Sequence, residues 1–461
     1  MSARAQTTAC GTGHGVPDYI SKYVSRFEVF ARSVETDSPI WLRRLRAEAM
    51  KCFSELGFPT TRAEDWRYTD VSAIAETEFE LATPPPAGLS RQQLEPLLLP
   101  GGDVATAVFV NGRFSPELSA GPGARGENEG IRVESLAQLR AADASRLQYQ
   151  LARQLDLKQH AFAALNTAFL DDGALVTAAK GQAAARPIHL LFISTAETAR
   201  ATVCHPRIAI ALEPQSRATV IEDHVCLGST QTFSNSVTEV SVGQNAQLDL
   251  VVLERGSDFH IANLQTHQDR DSRLRCHTLA LGGTLVRNDL NCVLGDTGAE
   301  CELQGLFLGM GEQLVDNHTL VDHAVPHGSS RQLYKGILGG RSRGVFRGRV
   351  VVRPGAQKTS AEQYNPNLLL SEGSDVNTKP QLEIYADDVK CSHGSTVGRM
   401  DPEALFFLRS RGIAEARARE MLTQGFAAEI ASTLPTAELA EAVGELIAQR
   451  IRNGVGEGES G

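Results

Sequence analysis

At 461 residues the chain exceeds what one hydrophobic core usually holds, so two or three structural units are expected. Its 42% hydrophobic and 22% charged residues are ordinary for a globular protein, and a formal charge of −10 argues against general nucleic-acid binding, which needs a basic footprint. No apolar run approaches the roughly 20 residues that span a bilayer, so no membrane segment is predicted.

Residues 1–16 are small and polar, lack the apolar stretch of a signal peptide, and are expected to be a disordered tail. A short transit peptide, which would direct the chain to a plastid, is the other reading; otherwise a cytoplasmic location is expected. Eight scattered cysteines with no Cys-x-x-Cys pair point to reduced thiols in a cytosol.

The first structural unit, residues 17–104, reads as helical and ends in a linker. Ile20, Tyr23, Val24, Phe27, Phe30 and Val34 recur at three- and four-residue steps, the stripe of an amphipathic helix. Pro39 opens a second helix, whose Leu42, Leu45, Ala49, Cys52, Phe53 and Leu56 keep the period until Gly57 stops it. Thr83-Pro-Pro-Pro-Ala-Gly88 has the composition of a stiff linker. Residues 105–185 read as a mixed α/β lead-in: a strand and turn over Thr106 to Phe114, then a helix over Gln159 to Leu170.

From residue 186 to 400 the texture changes to short apolar or alternating runs broken by Gly, Asp, Asn and Pro. Gly243, Asp269, Asp296, His327, Gly355 and Asp387 mark turns roughly 26 to 32 residues apart, inside the window that signals solenoids. Each coil of short strands can bury its inner face only against its neighbours, which favours a parallel β-helix. A β-sandwich, with turns every 8 to 12 residues, is the competing architecture. Asp401-Pro402 then caps a return to helix, and residues 401–452 are predicted to form three helices, the last carrying Leu439, Val443, Leu446, Ile447 and Ile451 on one stripe. Residues 453–461 are expected to be a disordered tail. The predicted fold class is therefore mainly β, with helical regions at both ends.

Several motifs carry less than their letters suggest. Gly121-Pro-Gly-Ala-Arg-Gly126 matches a dinucleotide fingerprint, but no helix is predicted to begin there. The run Gly355-Ala-Gln-Lys358-Thr-Ser360 lacks the glycine that a phosphate-binding loop needs before its lysine, so no ATPase site is expected. Arg341, Arg343, Arg347, Arg349 and Arg353 would share one strand face, either a solvated outer surface or a surface for an acidic partner. His318, His323 and His327 are spaced for neither a zinc helix nor a zinc finger, and turn histidines are the simpler reading. No paired carboxylates or Gly-x-Ser-x-Gly elbow suggest a catalytic centre.

The most informative stretch is Asp388-Val-Lys-Cys391-Ser-His393-Gly394. Alternate residues on a strand share a face, so Cys391 and His393 would point the same way with Ser392 opposite. A thiolate and an imidazole suit a soft or borderline metal such as iron or zinc, yet two ligands leave a site incomplete. For this pair alone, a buried structural role stays equally open.

The runs Leu333-Tyr-Lys-Gly-Ile337, Phe346-Arg-Gly-Arg-Val350, Gln363-Tyr-Asn-Pro-Asn367 and Lys379-Pro-Gln-Leu-Glu-Ile-Tyr-Ala386, with Glu64-Asp-Trp-Arg-Tyr-Thr69 upstream, resemble the SufB/SufD family of iron–sulfur cluster assembly proteins. Asp316-Asn-His-Thr-Leu-Val-Asp-His323 and Lys390-Cys-Ser-His-Gly394 are closer to the SufD branch. The resemblance implies a right-handed parallel β-helix between helical regions. It implies pairing with SufB through the β-helices and docking of the SufC ATPase on residues 401–452, with a homodimer compatible with the chain in isolation. No permanently bound cofactor is implied, only a transient iron–sulfur cluster at the SufB interface, and His393 is the matching candidate iron ligand with Cys391 beside it. The chain itself is then expected to be a non-catalytic scaffold subunit. The alternatives are a β-helix hydrolase or lyase, for which the acids and bases are missing, and a purely structural partner that stabilises SufB and docks SufC with no ligand of its own.

Overall fold

The computed structural model describes residues 18–83, 89–99, 104–120, 127–128, 130–151, 153–196, 200–228 and 230–457. The expected N-terminal tail, most of the proline linker and the Gly121 to Gly126 motif lie outside the described residues. Two long sheets face one another and share a single chain path. Strands alternate between them: Gln247–Glu254, Arg273–Ala280, Glu300–Gly309, Ser329–Leu338, Ser360–Leu369 and Lys390–Arg399 follow one another in one sheet. Thr232–Val242, Phe259–Gln268, Leu285–Leu294, Leu314–His323, Arg343–Val352 and Asp375–Ile384 do so in the other. Within these runs every pairing is parallel, and the register advances by one coil each time, from Gln247 to Arg273 at the shortest and Arg343 to Asp375 at the longest. This is a parallel β-solenoid, and its repeat is the one the turn residues marked; the sandwich reading falls.

The turns explain the periodicity. One corner of each coil places a residue in the left-handed region: Gln215, Asn245, Asp271, Gly298, His327 and Lys358, with φ between 53° and 78°. Asn, Asp and Gly tolerate that conformation best, which is why turn letters recur at coil spacing. The amides of five of these residues, all but Gly298, donate to the next coil: Asn245 to the Arg270 carbonyl at 2.9 Å, Asp271 to Thr297 at 3.0 Å and His327 to Gln357 at 2.9 Å among them. His327 is thereby a corner residue. Lys358, from the run resembling a phosphate loop, sits at the next corner and pairs with Asp388.

The solenoid interior is apolar along most of its length, from Ile188, Leu190 and Phe192 through Leu248, Leu250 and Leu274 to Leu303 and Phe346. Strands Ala105–Val110 and Ala174–Ala178, from the lead-in segment, already pair in parallel with the sheets. Helices cover the outer faces. The first two, Asp18–Ser33 and Ile40–Leu56, start and stop as their signals require: Pro39 precedes the second, and Gly57 ends it at φ 63°. Their Tyr23, Phe30 and Phe53 join Phe58 and Phe162 against Phe233, Phe259 and Ile261 of one sheet. On the other sheet, helices Glu415–Ala431 and Ala437–Glu457 bury Ile430, Leu439, Val443, Ile447 and Ile451 against Leu253, Leu279, Leu306 and Ile337. The last helix runs to Glu457, past residue 453 where the tail was expected to begin. Helical hydrogen bonds extend at little cost beyond the last apolar contact, Ile451, once the helix is nucleated.

The N-terminal unit is fastened by a buried arginine. Arg287, 2% exposed, donates to both carboxylate oxygens of Asp289, to Asp316 at 2.5 Å and to the Asp65 carbonyl at 2.8 Å. Trp66 lies across its guanidinium at 3.7 Å, and Thr69 donates its hydroxyl to Asp316. The Glu64 to Thr69 run is therefore a clasp between the helical region and the outside of the solenoid.

The arginine and histidine runs resolve in the same way. Arg347 pairs with Glu64 and Asp65, Arg349 with Glu383, Arg353 with Asp322 and Arg341 with Glu312, so four of the five find their acids within the chain. His318 lies 3.0 Å from Asp316, and His323, pushed down to about 4 by burial, shares a hydrogen bond with Ser330. Both lie on the strand Leu314–His323 and not in a turn as expected, and each finds its partner inside the chain, which favours a structural role for that stretch.

Candidate functional site

Lys390–Arg399 is the final strand of its sheet and pairs only with Ser360–Leu369; Asp375–Ile384 is final in the other and pairs only with Arg343–Val352. The solenoid therefore ends open, with one edge of each final strand unpaired among the described residues. Such an edge is a template for another chain unless it is blocked. It is also apolar in places: Ile384, Tyr385 and Val397 are exposed.

His393 and Cys391 sit in that last strand. Their register partners one coil back are Gln363 and Ala361, both buried inside the solenoid, whereas Ser392 follows Glu362 on the outer face. The predicted alternation thus holds, and both side chains occupy inward positions at the open end. Their surroundings differ. Cys391 packs against Val350, Val352, Ala356 and Ala361, and its partial burial pushes the thiol above its ordinary range. His393 is exposed, so it is not sealed among aliphatic groups. Among the described residues, no group of three or more His, Cys, Asp and Glu side chains is placed to hold a metal ion.

A polar thread leads to His393 from within. Most of the lumen is hydrocarbon, but the register column through His393 changes character towards the open end: Leu250, Cys276 and Leu303 give way to Gln332, Gln363 and His393. Thr319, from the opposite sheet, donates to Gln332 Oε1 at 2.7 Å, and Gln363 Nε2 donates to the same oxygen at 3.2 Å. Gly348 opposite leaves the space: a Cβ there would lie 2.1 Å from Gln363 Nε2. Sequence reasoning gave neither glutamine a role, although Gln363 opens one of the family-like runs; only the coil register aligns them with His393.

The C-terminal helices offer a second exposed surface. Pro402–Ser410 is capped by the Asp401 carboxylate, which accepts from the Glu403 amide at 2.9 Å, and it buries no residue. Phe406 is 73% exposed and Phe407 56%, an apolar pair that a monomer normally keeps covered.

A family profile described as SUF system FeS cluster assembly, SufBD core domain, matches residues 192–426, and another described as SufBD protein N-terminal region matches residues 18–190. The chain belongs to the SufBD family. Among curated SufBD relatives, an iron–sulfur cluster assembly SufBD family protein of Synechocystis is 33% identical, covering 86% of this chain and 88% of the relative. The iron–sulfur cluster assembly protein SufD of Escherichia coli is 32% identical over 86% of this chain and 90% of its own length. A chloroplastic protein of Arabidopsis thaliana, ABCI7, is 28% identical over 88% of this chain and 86% of the relative. The SufBD profiles thus divide the chain near the first long solenoid strand, Ile188–Ala196. Among the described residues of this SufBD chain, no helix is long and apolar enough to cross a membrane.

Proposed function

We propose that the chain is the SufD-type scaffold subunit of a SufBCD complex that assembles iron–sulfur clusters, with SufB completing the site at its open solenoid end. The observation that carries this reading is His393: an exposed imidazole at an inward position of the last coil, beside strand edges with no partner of their own. The nascent cluster is cargo here, held transiently between subunits. Imidazole suits iron at such a site, and a ligand set divided between two chains lets a change at their interface open it. His393 is the primary ligand in this reading. Cys391 is secondary, because its thiol is partly buried and less ready to ionise. SufC, which would hydrolyse ATP, docks on the C-terminal helical region, and this chain performs no chemistry itself. A cytoplasmic location fits that role.

The deciding experiment is His393→Ala in the chain co-expressed with SufB and SufC. The expected result is an intact complex of unchanged stability that yields at least about tenfold less iron and sulfide per complex, since losing even a group that only orients a ligand costs about 10- to 100-fold. An undiminished cluster yield would reduce the chain to a purely structural partner of SufB.

The exposed phenylalanine pair gives an independent prediction. Phe406→Asp with Phe407→Asp puts two charges on a surface that buries nothing in the isolated chain, so the fold should be unaffected. SufC capture should weaken at least about 30-fold, the loss of roughly 2 kcal/mol or more expected from aromatic anchors. Unchanged binding in a titration with purified SufC would place that interface elsewhere.

A further inference from the structure

Gln363 is 2% exposed, and its side-chain oxygen has no hydrogen-bond partner among the described residues. A buried amide oxygen left unpaired is costly, so its persistence needs a reason. The amide is tied to the coil behind it. In the arrangement present, Gln332 Oε1 accepts from both Thr319 and Gln363 Nε2, while Gln332 Nε2 is left without a partner among the described residues. With its nitrogen committed to the coil behind, Gln363 presents Oε1 as a spare acceptor. The next residue of that register column is His393, one strand spacing of about 4.8 Å further on.

We propose that Gln363 is the positioning residue for His393: its Oε1 accepts a hydrogen bond from one ring nitrogen, which selects the tautomer and turns the other nitrogen, unprotonated, towards the open end. Ligating imidazoles elsewhere are held in this way by an acceptor on their far nitrogen. The thread Thr319–Gln332–Gln363 supplies that acceptor from the rigid interior, without a second charged group at the site. The inference rests on the reading of His393 as a cluster ligand, but the hydrogen bond itself does not.

The test uses the full chain with ¹⁵N-labelled histidine, with the His393 resonances identified by their loss in His393→Ala. In the unmodified chain one ring nitrogen should be predominantly protonated at pH above 7. Gln363→Leu, close in volume but without an acceptor, should move both ring ¹⁵N shifts towards the average of the two tautomers. Gln363→Glu keeps the acceptor, so it should leave one ring nitrogen predominantly protonated, as in the unmodified chain. In the co-expressed complex, Gln363→Leu should lower cluster yield about 10- to 100-fold while Gln363→Glu largely restores it. Unchanged ¹⁵N shifts in Gln363→Leu would overturn the proposal; should that variant not fold, tautomer-averaged ring shifts in the unmodified chain would do so. If His393→Ala leaves cluster yield intact while Gln363→Leu still redistributes the tautomers, the positioning contact stands and the ligand reading falls.

Discussion

Replacing Arg287 with alanine is expected to destabilise the chain by about 3–5 kcal/mol, the cost of stranding a buried charge. The stranded group is Asp316, whose side chain is 1% exposed. Burial pushes its pKa up, yet Arg287, His318 and the Thr69 hydroxyl together hold it down to about 2. Arg287→Lys should recover only part of the loss, because an ammonium cannot reach Asp289, Asp316 and the Asp65 carbonyl from one plane or lie flat under Trp66. The pH dependence has a definite sign. A carboxylate depressed in the folded state contributes stability above its unfolded value near 3.8, and loses it as pH falls through about 2. The deficit of Arg287→Ala in denaturant titrations should therefore be full at pH 7 and shrink below pH ~4. A deficit under ~1 kcal/mol at neutral pH would mean that the Glu64 to Thr69 clasp is held by something else.

The second large effect runs the other way. Glu254 is buried inside the solenoid; its Oε2 accepts from Asn288 at 3.2 Å, and its Oε1 has no hydrogen-bond partner among the described residues, with His260 Nε2 3.6 Å away. Burial pushes its pKa up to about 8, and the Glu222 carboxylate adds to the rise. The folded chain thus holds a proton that the unfolded chain releases. That contribution is full below about 4.5, declines as pH rises and is gone by about 8. Glu254→Gln, which mimics the protonated acid, should match the parent at pH 4.5 and exceed it by an amount on the order of 3–5 kcal/mol at pH 8. Equal stabilities at both pH values would show that Glu254 is ionised and solvated in the folded chain. The cluster around it, with His224 buried beside Glu222 and His260 kept neutral by burial, is a liability of the interior that lies several coils away from the open end.

What the amino-acid sequence determined unaided is what depends on neighbours along the chain. The helix stops at Gly57, Asp401 caps its helix, and coil corners need residues that accept positive φ, so turn letters recur at coil spacing. The alternation of Cys391 and His393 against Ser392 is equally local, being a property of any strand. Tertiary structure alone decided which of these residues matter at the site. His393 is exposed because no further coil covers the last strand, whereas His323 and His327, as conspicuous in sequence, are absorbed by Ser330 and by a corner. Arg287 meets Asp65 across 222 residues, and Gln332, Gln363 and His393 align only because coils of unequal length stack in strict register. Those contacts are set by which strand hydrogen-bonds to which, a long-range condition that no window of local sequence contains.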